Sequence, residues 1–293
     1  MIRRVVLFAA TNLAVVATVW LVVSVLAAVG LLLEPTKLPL LPLGAACFAW
    51  GALGGFVSLA RSRTAARRNL GMTLLDGNSG DGDRDWVHAT LVDLASRAGV
   101  RTPLLGVYQS AEVNALSTGP SRKRSIIGIS SAMLTNMSRE EIEAVLAHEL
   151  SHIASGDSVT MALLQGVLNA FVINWAHWGR RVAAKRLDER LADAVGQAVR
   201  LVLLLVVGLG AALLVARFSR RRELRADVGG AALVGADKMR AALRQLQRTS
   251  DRVDGSLPTL ATFKIAGNLG LSRRLSTHAP LAARIAAMDK VTP

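Results

Sequence analysis

The chain has 293 residues, 52% of them hydrophobic and 4% aromatic, and its formal net charge is +14. A mean hydropathy of +0.38 is too apolar for an ordinary soluble domain, and the arginines gather at the ends of apolar runs with no aromatic interleaving, which points to membrane anchoring and away from nucleic acid. The single cysteine, Cys47, excludes an internal disulfide framework and a Cys-based metal site, so any metal ligands must be His, Asp or Glu.

Residues 5–33 form an apolar run behind Met1-Ile2-Arg3-Arg4. At about 1.5 Å per residue the run is long enough to cross a hydrocarbon core with some tilt. A secretory signal, with an apolar core of roughly 7–15 residues, fits less well, because the run is longer and a second follows at once. Glu34-Pro35-Thr36 makes a turn, and residues 38–60 are apolar again before Arg61, Arg63, Arg67 and Arg68. Residues 1–60 therefore read as a transmembrane hairpin with both basic ends in the cytoplasm. Residues 61–84 read as a basic and Gly/Asp-rich linker, with a loop over 72–84.

The spacing of Val87, Leu91, Leu94 and Ala98 predicts an amphipathic helix over 85–98. Leu104–Gln109, Glu112–Ser117 and Arg124–Ser130 predict three short strands, with Gly119-Pro120 and a basic turn between the last two. Ser138 followed by Glu141 is a capping box, and it predicts a helix over 139–154 that Gly156 stops. Residues 158–178 and 199–216 are the third and fourth span candidates, with Arg180, Arg181, Lys185, Arg186 and Arg190 between them. Either the pair crosses fully, against the positive-inside tendency, or it forms a hydrophobic hairpin buried only partly in the membrane. In both cases its two ends emerge on the same side. Past Arg217 comes a helix carrying Glu223 and Asp227, then a helix with Asp237 as its N-cap, a loop at 251–258 and mostly helical residues to the end. The soluble part is thus split between 85–157 and 217–293.

His148-Glu149-Leu150-Ser151-His152 has the H-E-x-x-H spacing. On a helix, residues four apart share a face, so both imidazoles can reach one zinc at about 2.0–2.1 Å. Glu149 borders that face and is placed to act as base toward water. A catalytic zinc needs a third protein ligand. His88, His177, His278 and a carboxylate are the choices, and Glu223 is the best carboxylate on chain logic, because the hydrophobic pair returns the chain to the side that His152 left. Asp227, four residues on, is placed to hydrogen-bond a ligand imidazole. The other reading of Glu223 is a surface charge among arginines.

These residues carry a family resemblance. Leu7-Phe8 with Thr11–Val15, Asn114–Gly119, the stretch Ala144–Asp157, Ser219–Glu223 with Ala226-Asp227, and Thr277–Leu281 with Arg284-Ile285 resemble the HtpX-type heat-shock membrane metalloproteases, relatives of the CAAX-prenyl endoproteases and the mitochondrial Oma-type protease. The likeness runs over nearly the whole chain. It implies a mainly α membrane protein whose zincin-like α+β metalloprotease domain has a small β-sheet. It implies one Zn2+ per chain, with Glu223 as third ligand and Asp227 supporting the site. It implies that the segment at Asn114 and Ala115 is an edge strand on which substrate backbone lies, and that His278 helps stabilise an oxyanion. The other readings are a turn asparagine for Asn114 and a helix-start histidine for His278. The chain departs from the family at His278-Ala279-Pro280, often His-Pro-Pro, and in its basic 180–190 loop.

The expected protein is a multi-pass zinc endopeptidase of the bacterial cytoplasmic membrane, with its active site on the cytoplasmic side. The resemblance implies that its substrates are unfolded polypeptides and misfolded or damaged membrane proteins; its expected surroundings are the lipid bilayer, with no nucleic-acid partner. The sequence leaves a homo-oligomer open. The competing readings are a zinc-stabilised scaffold that binds clients without cutting, and a basic protein of anionic lipid surfaces.

Overall fold

The computed structural model describes residues 40–157, 188–254 and 280–290. The elements are α1 (Leu40–Asn69), β1 (Thr73–Leu75), α2 (Gly82–Arg97), β2 (Leu104–Tyr108), β3 (Ala115–Ser121), β4 (Arg124–Ser130), α3 (Ser131–Asn136), α4 (Arg139–Ser155), α5 (Glu189–Val234), α6 (Ala236–Asp254) and α7 (Leu281–Met288). The chain divides into two compact units, one drawn from Met1–Ser58 and Thr160–Leu214, the other from Leu59–Val159 and Val215–Pro293. Among the described residues no helix is long and apolar enough to cross a membrane. The expected spans 5–33 and 158–178 lie outside the described residues, as do the side chains of 40–48 and 203–218.

The second unit is built on a mixed sheet in the order β1-β2-β4-β3. β2 runs parallel to β4, and β1 and β3 run antiparallel to their neighbours. β4 is buried along both faces after its first residue, which suits its run Ile126-Ile127-Gly128-Ile129. On one side, Ile127 and Ile129 meet Leu91 and Leu94 of α2, Leu146 and Leu150 of α4, Met239 and Leu243 of α6 and Met288 of α7 in one core.

Three local readings need correction. The loop expected over 72–84 contains β1, since Met72 and Leu75 are buried and give that strand an apolar anchor. β3 begins at Ala115 and continues through Gly119-Pro120, which were expected to turn; the turn is at Arg122-Lys123. A proline is tolerated there because β3 is an edge strand and because the register shifts between Thr118 and Ser121. A Cβ on Gly119 would sit 2.4 Å from the Arg124 carbonyl oxygen, so only glycine allows this close approach. Asp237 lies in the first turn of α6 instead of capping it, and Gly235 at φ 93° makes the break from α5.

Candidate metal centre

α4 is anchored at both ends as its sequence predicts. The Ser138 side chain accepts from the Glu141 backbone N–H, the Glu141 carboxylate accepts from the Ser138 N–H, and Gly156 ends the helix in the left-handed conformation. Its apolar residues face the core, and His148, Glu149 and His152 are buried on the side toward α5. That long helix brings Glu223 and Asp227 to the same place. It can do so because Gly229 and Gly230 sit where α5 meets α4. A Cβ on Gly229 would lie 2.0 Å from Ser151 Oγ, and one on Gly230 would lie 3.1 Å from the His148 backbone nitrogen. No spacing rule marks these two glycines in advance, because only the approach of a second helix gives them meaning.

The ring atoms converge in a consistent way. His148 Nε2 is 3.6 Å from Glu223 Oε2, and His152 Nε2 is 3.4 Å from Glu223 Oε1. The two rings stand edge to face at 87°. Their other nitrogens are each tied to a carboxylate, His148 Nδ1 to Asp227 at 2.9 Å and His152 Nδ1 to Asp157 at 3.0 Å. Such a tie places the proton on Nδ1 and aims the Nε2 lone pair inward, the usual supporting arrangement around a metal. Tetrahedral bonds of about 2.0–2.1 Å put ligand atoms about 3.3 Å apart, close to the two spacings seen. His148, His152 and Glu223 are thus able to hold one ion. Among the described residues His88, the other histidine, stands apart on α2 beside Gly77. His177 and His278 lie outside the described residues.

Charge tells the same story. Glu149, Glu223, Asp157 and Asp227 gather around the two imidazoles, with Arg222 and Arg284 beside them. Arg284 is buried and grips Asp227 through Nε at 2.8 Å and Nη2 at 2.6 Å, and its Nη1 is 3.5 Å from Glu223 Oε2. On the other side, Arg222 Nη2 donates to Glu223 Oε1 at 3.1 Å. Neither arginine was singled out by the sequence reading, nor was Asp157, although all three lie inside the motifs that carried the resemblance. Burial opposes ionisation of Asp227 and Asp157, yet the Arg284 and His148 hydrogen bonds hold the first below the usual carboxylate range and the His152 hydrogen bond does the same for the second. Burial also opposes charge on the histidines. Hydrogen bonds that His152 donates to Asp157 and Glu223 outweigh it and carry His152 up to about 9, and those that His148 donates to Asp227 and Glu223 raise His148.

β3 runs past this centre as an edge strand. Asn114 C=O accepts from Ser130 N–H at 2.9 Å, and Asn114 N–H donates to Ser130 Oγ. Both backbone groups of Asn114 are therefore spent on β4, leaving its side chain for other work. The alternation of an antiparallel ladder then turns the backbone groups of Ala115 and Ser117 to the open edge. Two cavities share His148, Glu149 and Glu223. One, about 130 Å³, lies against Asn114 and Ala115, and the other, about 160 Å³, lies against Leu116 and Ser117.

Comparison with known proteins agrees with the motifs. The sequence profile of Peptidase family M48 matches residues 82–292. The chain is 41% identical to Protease HtpX of Xylella fastidiosa (strain 9a5c), over 98% of each chain. It is 40% identical to Protease HtpX of Stenotrophomonas maltophilia (strain K279a), over 100% of this chain and 99% of the relative. The crystal structure of S. mikatae Ste24p superposes with a TM-score of 0.58 at 20% identity, over 80% of this chain and 56% of that one, which speaks for the fold alone. On the strength of the profile and of these near full-length relatives, the chain belongs to peptidase family M48 and is a metallopeptidase.

Proposed function

We propose that this protein is a zinc endopeptidase of the bacterial cytoplasmic membrane that cuts misfolded or damaged membrane proteins on the cytoplasmic side. The observation that carries the reading is the convergence of His148 Nε2, His152 Nε2 and the Glu223 carboxylate, with each Nδ1 tied to its own carboxylate. His148, His152 and Glu223 hold the ion. Zinc, when bound, lowers the pKa of water and polarises a peptide carbonyl. The open edge of β3 receives an extended peptide at Ala115 and Ser117, and the Asn114 side chain orients a substrate carbonyl. Glu149, which borders the face of the two histidines and lines both cavities with His148, takes the proton from the attacking water and passes it to the leaving amine. His278 donates to the oxyanion. Asp227 and Asp157 keep the imidazoles in the ligating tautomer, and Arg284 fixes Asp227. The apolar runs at 5–33, 38–60, 158–178 and 199–216, flanked by arginines, support a multi-pass location.

The test compares zinc content and casein cleavage for the detergent-purified chain, Glu149→Gln and Glu223→Ala. The parent should hold one zinc and cut, Glu149→Gln should hold zinc and lose about 10²–10⁴-fold in rate, and Glu223→Ala should lose the metal. Metal and activity retained by Glu223→Ala would remove Glu223 from the ligand set.

A further inference from the structure

The two cavities beside the metal centre differ in chemistry, one mostly apolar and one mostly polar, and they lie side by side against the start of the same edge strand. Beside Asn114 and Ala115 the walls are Met133, Val145, Met239, Ala242, Leu243 and Leu246. Met133, Met239, Ala242 and Leu243 are buried to 1% exposure, so this is a built apolar recess with fixed walls. At about 130 Å³ it has room for one medium-to-large aliphatic or aromatic side chain. Beside Leu116 and Ser117 the walls are polar: His152, Asp157 and Arg222 join the shared residues. Here the Asp157 carboxylate is engaged by His152. The Arg222 guanidinium donates to Glu223 through Nη2 and acts electrostatically on Asp157, and its Nε is buried with no hydrogen-bond acceptor among the described residues. A buried donor left unpaired is costly, so this cavity has a use for an incoming acceptor.

We infer that the enzyme reads the two flanks of the scissile bond by opposite chemistry: an apolar side chain enters the recess walled by α6, and a hydrogen-bond acceptor side chain on the other flank meets Arg222. The inference rests on the proposed peptide-cutting role of the centre, because both cavities share Glu149 and the ligand group. Successive residues of an extended peptide on β3 present side chains on alternate faces, so the recess selects one position and not a run of apolar residues. Ala242 and Leu246 set the size of the recess. Arg222, from its neighbouring position in the chain, sets the preference on the opposite flank.

The experiment uses the full chain in detergent, loaded with zinc, against a proteome-derived peptide mixture, with new termini read by mass spectrometry. Leu, Met or Phe should be enriched at one position on one flank of the cut by about tenfold over Gly or Asp. Asp, Glu, Asn or Gln should be enriched on the other flank. Leu246→Ala should move the apolar position toward Trp and Phe, Ala242→Leu should move it toward Ala and Val, and neither should alter the acceptor flank. Leu246 is half-buried, so its variant carries the test if Ala242→Leu does not fold. Arg222→Gln should erase the acceptor preference while the apolar position stays; if it loses zinc, Arg222→Lys, which keeps a cation beside Glu223 with fewer donors, should weaken that preference in its metal-loaded form. A wild-type profile with no difference between flanks, or unchanged profiles in the zinc-bound variants, would overturn the inference and leave the peptidase reading standing. A zinc-loaded wild type that cuts nothing in the mixture would sink both.

Discussion

At the scale of single residues, the two carboxylates held against the imidazoles explain why both histidines present Nε2 to the same point. Asp227→Asn and Asp157→Asn keep size and hydrogen-bonding capacity but weaken the pull on the Nδ1 proton. Each should lower zinc affinity by about 10–100-fold, measured by competition with a chromogenic chelator, and equal affinity in the parent and both variants would argue against the tie. The same hydrogen bonds give a pH dependence with opposite signs in the two metal states. In the metal-free protein His152 titrates near 9 against an ordinary 6.5, because Asp157 and Glu223 favour its charged form despite burial. The group therefore stabilises the metal-free fold fully below about pH 6.5, and that contribution disappears as pH rises through about 9. Zinc requires the neutral ring, so uptake must displace this proton and should tighten from pH 6 to pH 9. Calorimetric zinc titrations in two buffers of different ionisation enthalpy would reveal the released proton; heats independent of buffer at pH 7 would contradict the raised value.

Elements place these residues by how closely they pack. α4 is fixed by local signals, its capping box and Gly156, and those signals stand in consecutive residues. α5 reaches the centre only because Gly229 and Gly230 leave no side chain between it and α4. Gly230→Val would drive a branched side chain toward the His148 backbone and the Met239 methyl group. A loss of about 1–3 kcal/mol in stability is expected, with weaker zinc binding, since the distance from Glu223 to His148 depends on this contact. Denaturant unfolding with a parallel zinc titration checks both; a variant as stable and as tight as the parent would show that the helices separate at little cost. β3 illustrates the opposite case. Its sequence contains a Gly-Pro pair that reads as a turn, and the pair is held in an extended edge by the approach of Arg124.

For the whole molecule, an ion held by the proposed ligands would join parts of the chain that are far apart in sequence: His148 and His152 on α4, Glu223 on α5. Metal bound to the folded form alone should therefore raise its melting temperature, by about 2.7 kcal/mol in stability at a hundredfold excess over Kd. Chelation should lower the transition of the parent and of Glu149→Gln by the same amount and leave that of Glu223→Ala unmoved, as followed by tryptophan fluorescence. The sequence by itself determined α4, the H-E-x-x-H face, the existence of strands at 104–108 and 124–130 and the family motifs, because helix periodicity, capping and short apolar runs act over a few neighbouring residues. It singled out Glu223 and Asp227 only by the logic of chain return. Tertiary structure alone decided that Asp227 takes the His148 imidazole, that Arg284 from the last helix secures Asp227, and that Ala115 and Ser117 face the open edge. Those outcomes depend on distances between segments that meet only after the core of α2, α4, α6 and the sheet has closed, and no local pattern encodes a distance across the fold.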